Sequence, residues 1–73
     1  MKVIGYAGYT AHDHTTSGVM TLSEGVYTFT MRSGEDVYKA THYTEAEARA
    51  AFKDFCNFNR QVLNYHLDAI QLF

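Results

Sequence analysis

The stretch TEAEARAAFKDFCNFNRQVLNYHLDAIQLF, residues 44–73, decides the fold, because it reads either as one long helix or as a helix that stops halfway. It opens with a capping box: Thr44 at the cap and Glu47 three residues on satisfy each other's free donors. From there Ala48, Phe52, Phe55, Cys56, Asn59, Val62, Leu63, His66 and Ile70 fall on one side when projected at ~100° per residue. Glu45 and Arg49 add a supporting pair one turn apart. The apolar side continues past Asn57 without a phase break, so the helix is expected to run on to about Gln71. The run Leu63-Asn64-Tyr65-His66-Leu67-Asp68 also alternates, which would suit a strand.

Length bears on that choice. A helix from Glu45 to Gln71 would reach ~40 Å, whereas a seven-residue strand spans only ~23 Å. Either the chain breaks near Asn57-Phe58-Asn59 and folds back, or the projecting turns meet a partner. Those turns carry Val62, Leu63, His66, Leu67 and Ile70, then Leu72 and Phe73, with Phe58 and Tyr65 flanking the stripe.

Upstream, the period changes from helical to alternating. Val26 to Met31 and Asp36 to Thr41 alternate on either side of a turn signal at Ser33-Gly34. A two-residue turn there would pair Arg32 with Glu35, Phe29 with Tyr38 and Tyr27 with Ala40. Tyr27, Phe29, Met31, Tyr38 and Ala40 then share the core side, and Val26, Thr28, Thr30, Val37, Lys39 and Thr41 the other. Met1 to Thr10 reads as a further strand weakened by Gly5 and Gly8, Ala11 to Gly18 as a loop, and Val19 to Leu22 as a short strand. Strands first and a helix last predict one α+β domain over residues 1–73. Its expected form is a small antiparallel sheet of three to four strands with one long C-terminal helix packed on one face.

Composition agrees with a single small folded unit. Of 73 residues, 47% are hydrophobic and 19% charged, which is the balance of a globular chain. Six basic against eight acidic residues leave a formal charge of −2, too weak a field to draw the chain onto nucleic acid or membrane. The single cysteine excludes an internal disulfide framework and points to a reducing compartment, so cytoplasmic localisation is expected. No apolar run approaches the ~20 residues of a membrane span. The opening residues lack a signal-peptide layout, and the chain, beginning with Met, reads as a whole small gene product.

Few residues invite chemistry. His12-Asp13-His14 places two imidazoles two residues apart, with His42 or His66 as a third ligand in a metal-dependent reading, but no spaced Cys/His set accompanies them. Cys56 lies within the apolar helix side, where a thiol acts as a small hydrophobe. No nucleophile elbow, phosphate-cradling loop or dinucleotide fingerprint is present, so no enzyme, cofactor or resident metal is expected. Arg49, Lys53 and Arg60 form a narrow basic stripe that, with Lys39, would serve a small nucleic-acid-binding regulator. Glu47, Asp54 and Asp68 form a second, acidic stripe.

In size, mild acidity and lack of a catalytic signature, the chain resembles the small accessory proteins of phages and mobile elements, among which the anti-CRISPR proteins are the best-known functional group. That resemblance implies a stoichiometric inhibitor in the host cytoplasm, which occludes a host CRISPR-Cas or other defence complex that handles nucleic acid. The leading expectation is therefore a non-catalytic protein-binding module. Its interface would be Phe58, Leu63, Tyr65, Leu67 and Ile70, and a homodimer is the simplest assembly.

Overall fold

In the computed structural model, which describes residues 1–72, the elements run β1 (Lys2–Thr10), β2 (Thr15–Ser23), β3 (Val26–Ser33), β4 (Asp36–His42), α1 (Glu45–Asn57) and β5 (His66–Leu72). All five strands join one antiparallel sheet in the order β4-β3-β2-β1-β5. The α+β class expected from sequence holds, with five strands where three to four were expected and with the helix followed by a strand.

The first four strands form a meander because each connection is a short turn. Glu24 and Gly25, at φ 50° and 78°, close the β2–β3 turn. Gly34, at φ 62°, opens the β3–β4 turn. A left-handed first central residue is what a II′ hairpin turn asks of glycine, so the turn centres on Gly34-Glu35 rather than on Ser33-Gly34. The pairs are accordingly Met31 with Tyr38, Phe29 with Ala40 and Tyr27 with His42. The expected register is thus displaced by two residues. A displacement of two keeps every side chain on its own face, so Tyr27, Phe29 and Met31 reach the core as expected, whereas Tyr38, on the outer strand, is exposed. β2 is also longer than Val19–Leu22, because, of the residues expected as a loop, Thr16 to Gly18 pair with both neighbours and Thr15 pairs with β1.

α1 starts where its sequence says. The Thr44 hydroxyl accepts from the Glu47 N–H at 3.2 Å and donates to the Glu47 carboxylate at 2.9 Å. Arg49 donates to Glu45 at 2.9 Å. The helix buries Ala48 and Phe52 against Ala7, Tyr9, Met20 and Phe29, with Ala51, Phe55 and Cys56 partly buried beside them. Phe29 is the hub: its ring meets Phe55 at 5.3 Å and near right angles, and Phe52 at 6.0 Å. Gly18 makes room for this cluster. A Cβ there would come within 2.7 Å of the Phe29 ring.

The helix does not run to Gln71. After Asn57 comes one widened π-type turn, Phe58–Val62, whose last bond is Leu63 N–H to the Phe58 carbonyl at 3.0 Å. Asn64 then takes φ 57°, a left-handed position that asparagine tolerates better than most residues, and it ends the helix as a C-cap would. Tyr65 donates to the Asn59 carbonyl at 2.8 Å, and the chain turns back as β5. The chain thus folds back rather than projecting, but it does so at Leu63-Asn64, one turn beyond the expected break near Asn57-Phe58-Asn59. Pairing β5 with β1 satisfies the strand's backbone and brings Leu67 onto the core, while Ile70 and Leu72 stay exposed. β5 pairs Leu72 with Gly5 and Ile70 with Ala7, then shifts register at Asp68. The part of the projected apolar surface assigned to Phe73 lies outside the described residues. Among those described, no helix is long and apolar enough to cross a membrane.

Candidate functional site

α1 leaves one edge of the sheet at β4 and delivers the chain to the other edge at β5, packing over β2, β3 and β4. The helix side of β5 is therefore only partly roofed. Leu67 packs against the core, while Ile70 is 52% exposed and Leu72 54% exposed. Of the five residues expected at an interface, Phe58, Leu63 and Ile70 are exposed; Tyr65 and Leu67 are half-buried on the chain's own core. Folding β5 back turned what looked like a helical stripe into two regions: Phe58 and Leu63 on the π-type turn, and Ile70 with Leu72 along an outer strand.

At the other end of the helix side lies an open-sided cavity of about 220 Å³, between the π-type turn and the ends of β3 and β4. Met31, Tyr38, Phe55, Phe58, Leu63 and Tyr65 supply apolar and aromatic wall. Four polar residues also line it: Arg32, which is exposed, Ser33, and two buried ones, Thr16, 7% exposed, and Asn59, 2% exposed. The Asn59 amide donates to the Phe55 carbonyl at 2.8 Å, but its Oδ1, like the Thr16 hydroxyl, has no partner. Asn59 was legible in sequence as a polar residue on an apolar helix side. Thr16 was not, because its segment read as a loop.

Ser33, a further lining residue, connects the cavity to the histidine loop. Its hydroxyl lies 3.3 Å from His14 Nε2, and His14 Nδ1 lies 2.7 Å from Asp13 Oδ1. Carboxylate, imidazole and hydroxyl stand in the order of a nucleophilic relay. Asp13, however, is 83% exposed at its side chain, so water screens the carboxylate that would have to hold the imidazole. The hydrogen bond and charge of His14 hold the Asp13 carboxyl below its ordinary range. What the array does structurally is set His14 edge-on to Tyr65, ring centres 6.0 Å apart, beside the cavity.

The metal reading loses its third ligand. His42 ends β4 at the far end from His14, and its Nε2 is buried without a partner; His66 stands on β5, 3.9 Å from Asp68. Among the described residues no three His, Cys, Asp or Glu side chains converge. His66, expected on a buried helix side beside Asn59, is instead exposed.

Each charged set loses one member. Arg49, Lys53 and Arg60 share the helical segment, with Arg49 already paired to Glu45, whereas Lys39 pairs with Thr30 on the far side of the sheet. Asp68 leaves the acidic stripe for β5, where Thr10 donates to it. That far side carries Thr28, Thr30, Thr41 and the exposed Val37, the pattern of a solvated antiparallel face.

One further group is buried at the helix–sheet contact. Tyr9 is enclosed with its hydroxyl unpartnered, and burial first, then the Cys56 thiol, pushes its phenol above the ordinary range. Comparison with protein-family models, with curated proteins and with solved structures finds no match to this chain.

Proposed function

We propose that this protein is a non-catalytic protein-binding module that works through β5, and that its first partner is a second copy of itself. The observation that carries this reading is the exposure of Ile70 and Leu72 on an outer strand whose far edge is free to hydrogen-bond. Free strand edges recruit other strands, and proteins that do not use them blunt them with charge, bulges or cover. β5 has a bulge and a charge at Asp68, but Ala69 to Leu72 beyond it carries no charge. Two copies meeting β5 to β5 about a twofold axis would continue the antiparallel sheet and bury the same apolar pair from each side. Phe58 and Leu63 lie on the π-type turn, within reach of a larger partner docked along that end.

The wider assignment is a stoichiometric inhibitor of a host nucleic-acid-processing complex, in the manner of the anti-CRISPR proteins. It rests on the resemblance in size and composition, together with the same exposed strand. Its assay is target-DNA cleavage by a purified defence nuclease with and without the protein.

The experiment for the binding reading is the mass in solution. Wild type should scatter light as twice its 8.3 kDa at high concentration and return to one copy on dilution. Ile70→Lys, at an exposed position, should remain folded and monomeric throughout. A wild-type chain that is monomeric at every concentration would refute self-association through β5.

A further inference from the structure

We infer that the cavity between the π-type turn and the ends of β3 and β4 is a binding site for an uncharged aromatic ring bearing a hydroxyl, a phenol-type group. The inference is independent of β5 and of self-association. Size is the first argument. A cavity of ~150 Å³ accommodates benzene, so about 220 Å³ admits a ring with a substituent. Wall chemistry is the second: Met31, Phe55, Leu63 and Tyr65 offer apolar and aromatic surface suited to a flat apolar guest, with the exposed Arg32 also among the lining residues.

The third argument selects the polar group. Asn59 and Thr16 are both more than nine-tenths buried, both line the cavity, and each leaves an oxygen unpartnered. Orphaned buried polar atoms are costly, and a site lined by two residues that each keep one is complete only when something pairs with them. The orientation of the Asn59 amide is settled, because the Phe55 carbonyl can only accept and must face Nδ2. Oδ1 therefore asks for a donor, and the Thr16 hydroxyl can give or take. A hydroxyl is the smallest group that donates to one and accepts from the other. A carboxylate offers Asn59 no donor, and a plain hydrocarbon ring leaves both oxygens unpaired.

The test uses the full chain and two-dimensional NMR titrations with p-cresol and with toluene, which match in shape and differ in the hydroxyl. Saturable shifts are expected at Thr16, Asn59 and Leu63, with p-cresol binding about tenfold more tightly, the worth of one net hydrogen bond. Thr16→Val keeps the strand and the volume, and should cut that preference at least ~3-fold while raising the melting temperature of the free protein. N-acetyl-tyrosinamide separates two sources of the same group: binding equal to p-cresol means a tyrosine presented by a peptide is admitted, and weaker binding means a free phenol is the guest. Equal affinity for p-cresol and toluene would overturn the inference, leaving water as partner to both oxygens. So would the absence of saturable shifts at these residues, or an unchanged preference in Thr16→Val.

Discussion

The two outer strands, β4 and β5, are equal in length and differ in how they are joined to the sheet. β4 is joined to β3 by a two-residue turn, its partner is its neighbour in sequence, and Asp36 and Lys39 charge its edge. β5 pairs with β1 across nearly the whole chain, reaches it through a left-handed Asn64, and ends in four uncharged residues. A local hairpin closes a short loop and forms at little entropic cost; the β1–β5 pair must wait until α1 is in place. One edge is therefore defended and self-sufficient, while the other is borrowed from the helix–sheet packing and left open to partners. An edge whose order depends on distant packing is also the edge that opens first.

Removing what both edges share should erase the difference between them. Phe52→Ala takes the ring from the centre of the core, and should cost ~3–5 kcal/mol, enough to unfold a domain this small. Urea denaturation followed by circular dichroism measures it. A loss under ~1 kcal/mol would mean that the Phe29–Phe52–Phe55 cluster is not the common support.

Changing only the entry to β5 should widen the difference. Asn64→Val puts a β-branched side chain at φ 57° and should cost ~1–2 kcal/mol, while Asn64→Gly should cost little. Hydrogen exchange should then quicken in β5 and remain slow in β3. Equal quickening throughout would show that β5 and the rest of the sheet open as one unit.

The smallest effect lies beneath both edges. Tyr9→Phe removes an unpartnered buried hydroxyl, and should gain about 1 kcal/mol at neutral pH. Because the folded phenol is raised, the unfolded chain ionises first. The Tyr9 contribution is whole below the ordinary tyrosine value of about 10 and is lost as pH rises beyond it. Thermal melts from pH 7 to 11 should therefore show a gentler alkaline decline in Tyr9→Phe than in wild type.

The same contrast explains what could be read in the sequence. β3, β4 and the first half of α1 announce themselves by alternation, by Gly34 and by the Thr44–Glu47 cap, all local signals. The turn lies one position beyond the expected one because Ser-Gly and Gly-Glu both make acceptable turn centres; what decides is the φ of Gly34, which is not written in a pattern. β5 was hidden because its apolar residues continue the helical phase of α1. The alternation from Leu63 carries the strand signal, and Asn64, at φ 57°, is the residue that separates it from the helix. The cavity was half legible. Asn59 stood out on an apolar side, while Thr16 and Ser33 come from segments brought together only by the five-stranded register.

The most direct test of the open edge is amide hydrogen exchange, read residue by residue at low and high protein concentration. The account predicts that the β5 amides not bonded to β1 exchange freely in dilute solution and become protected as concentration rises, while the outward amides of β4 stay unprotected at both. Protection that is independent of concentration, or equal at the two edges, would contradict it.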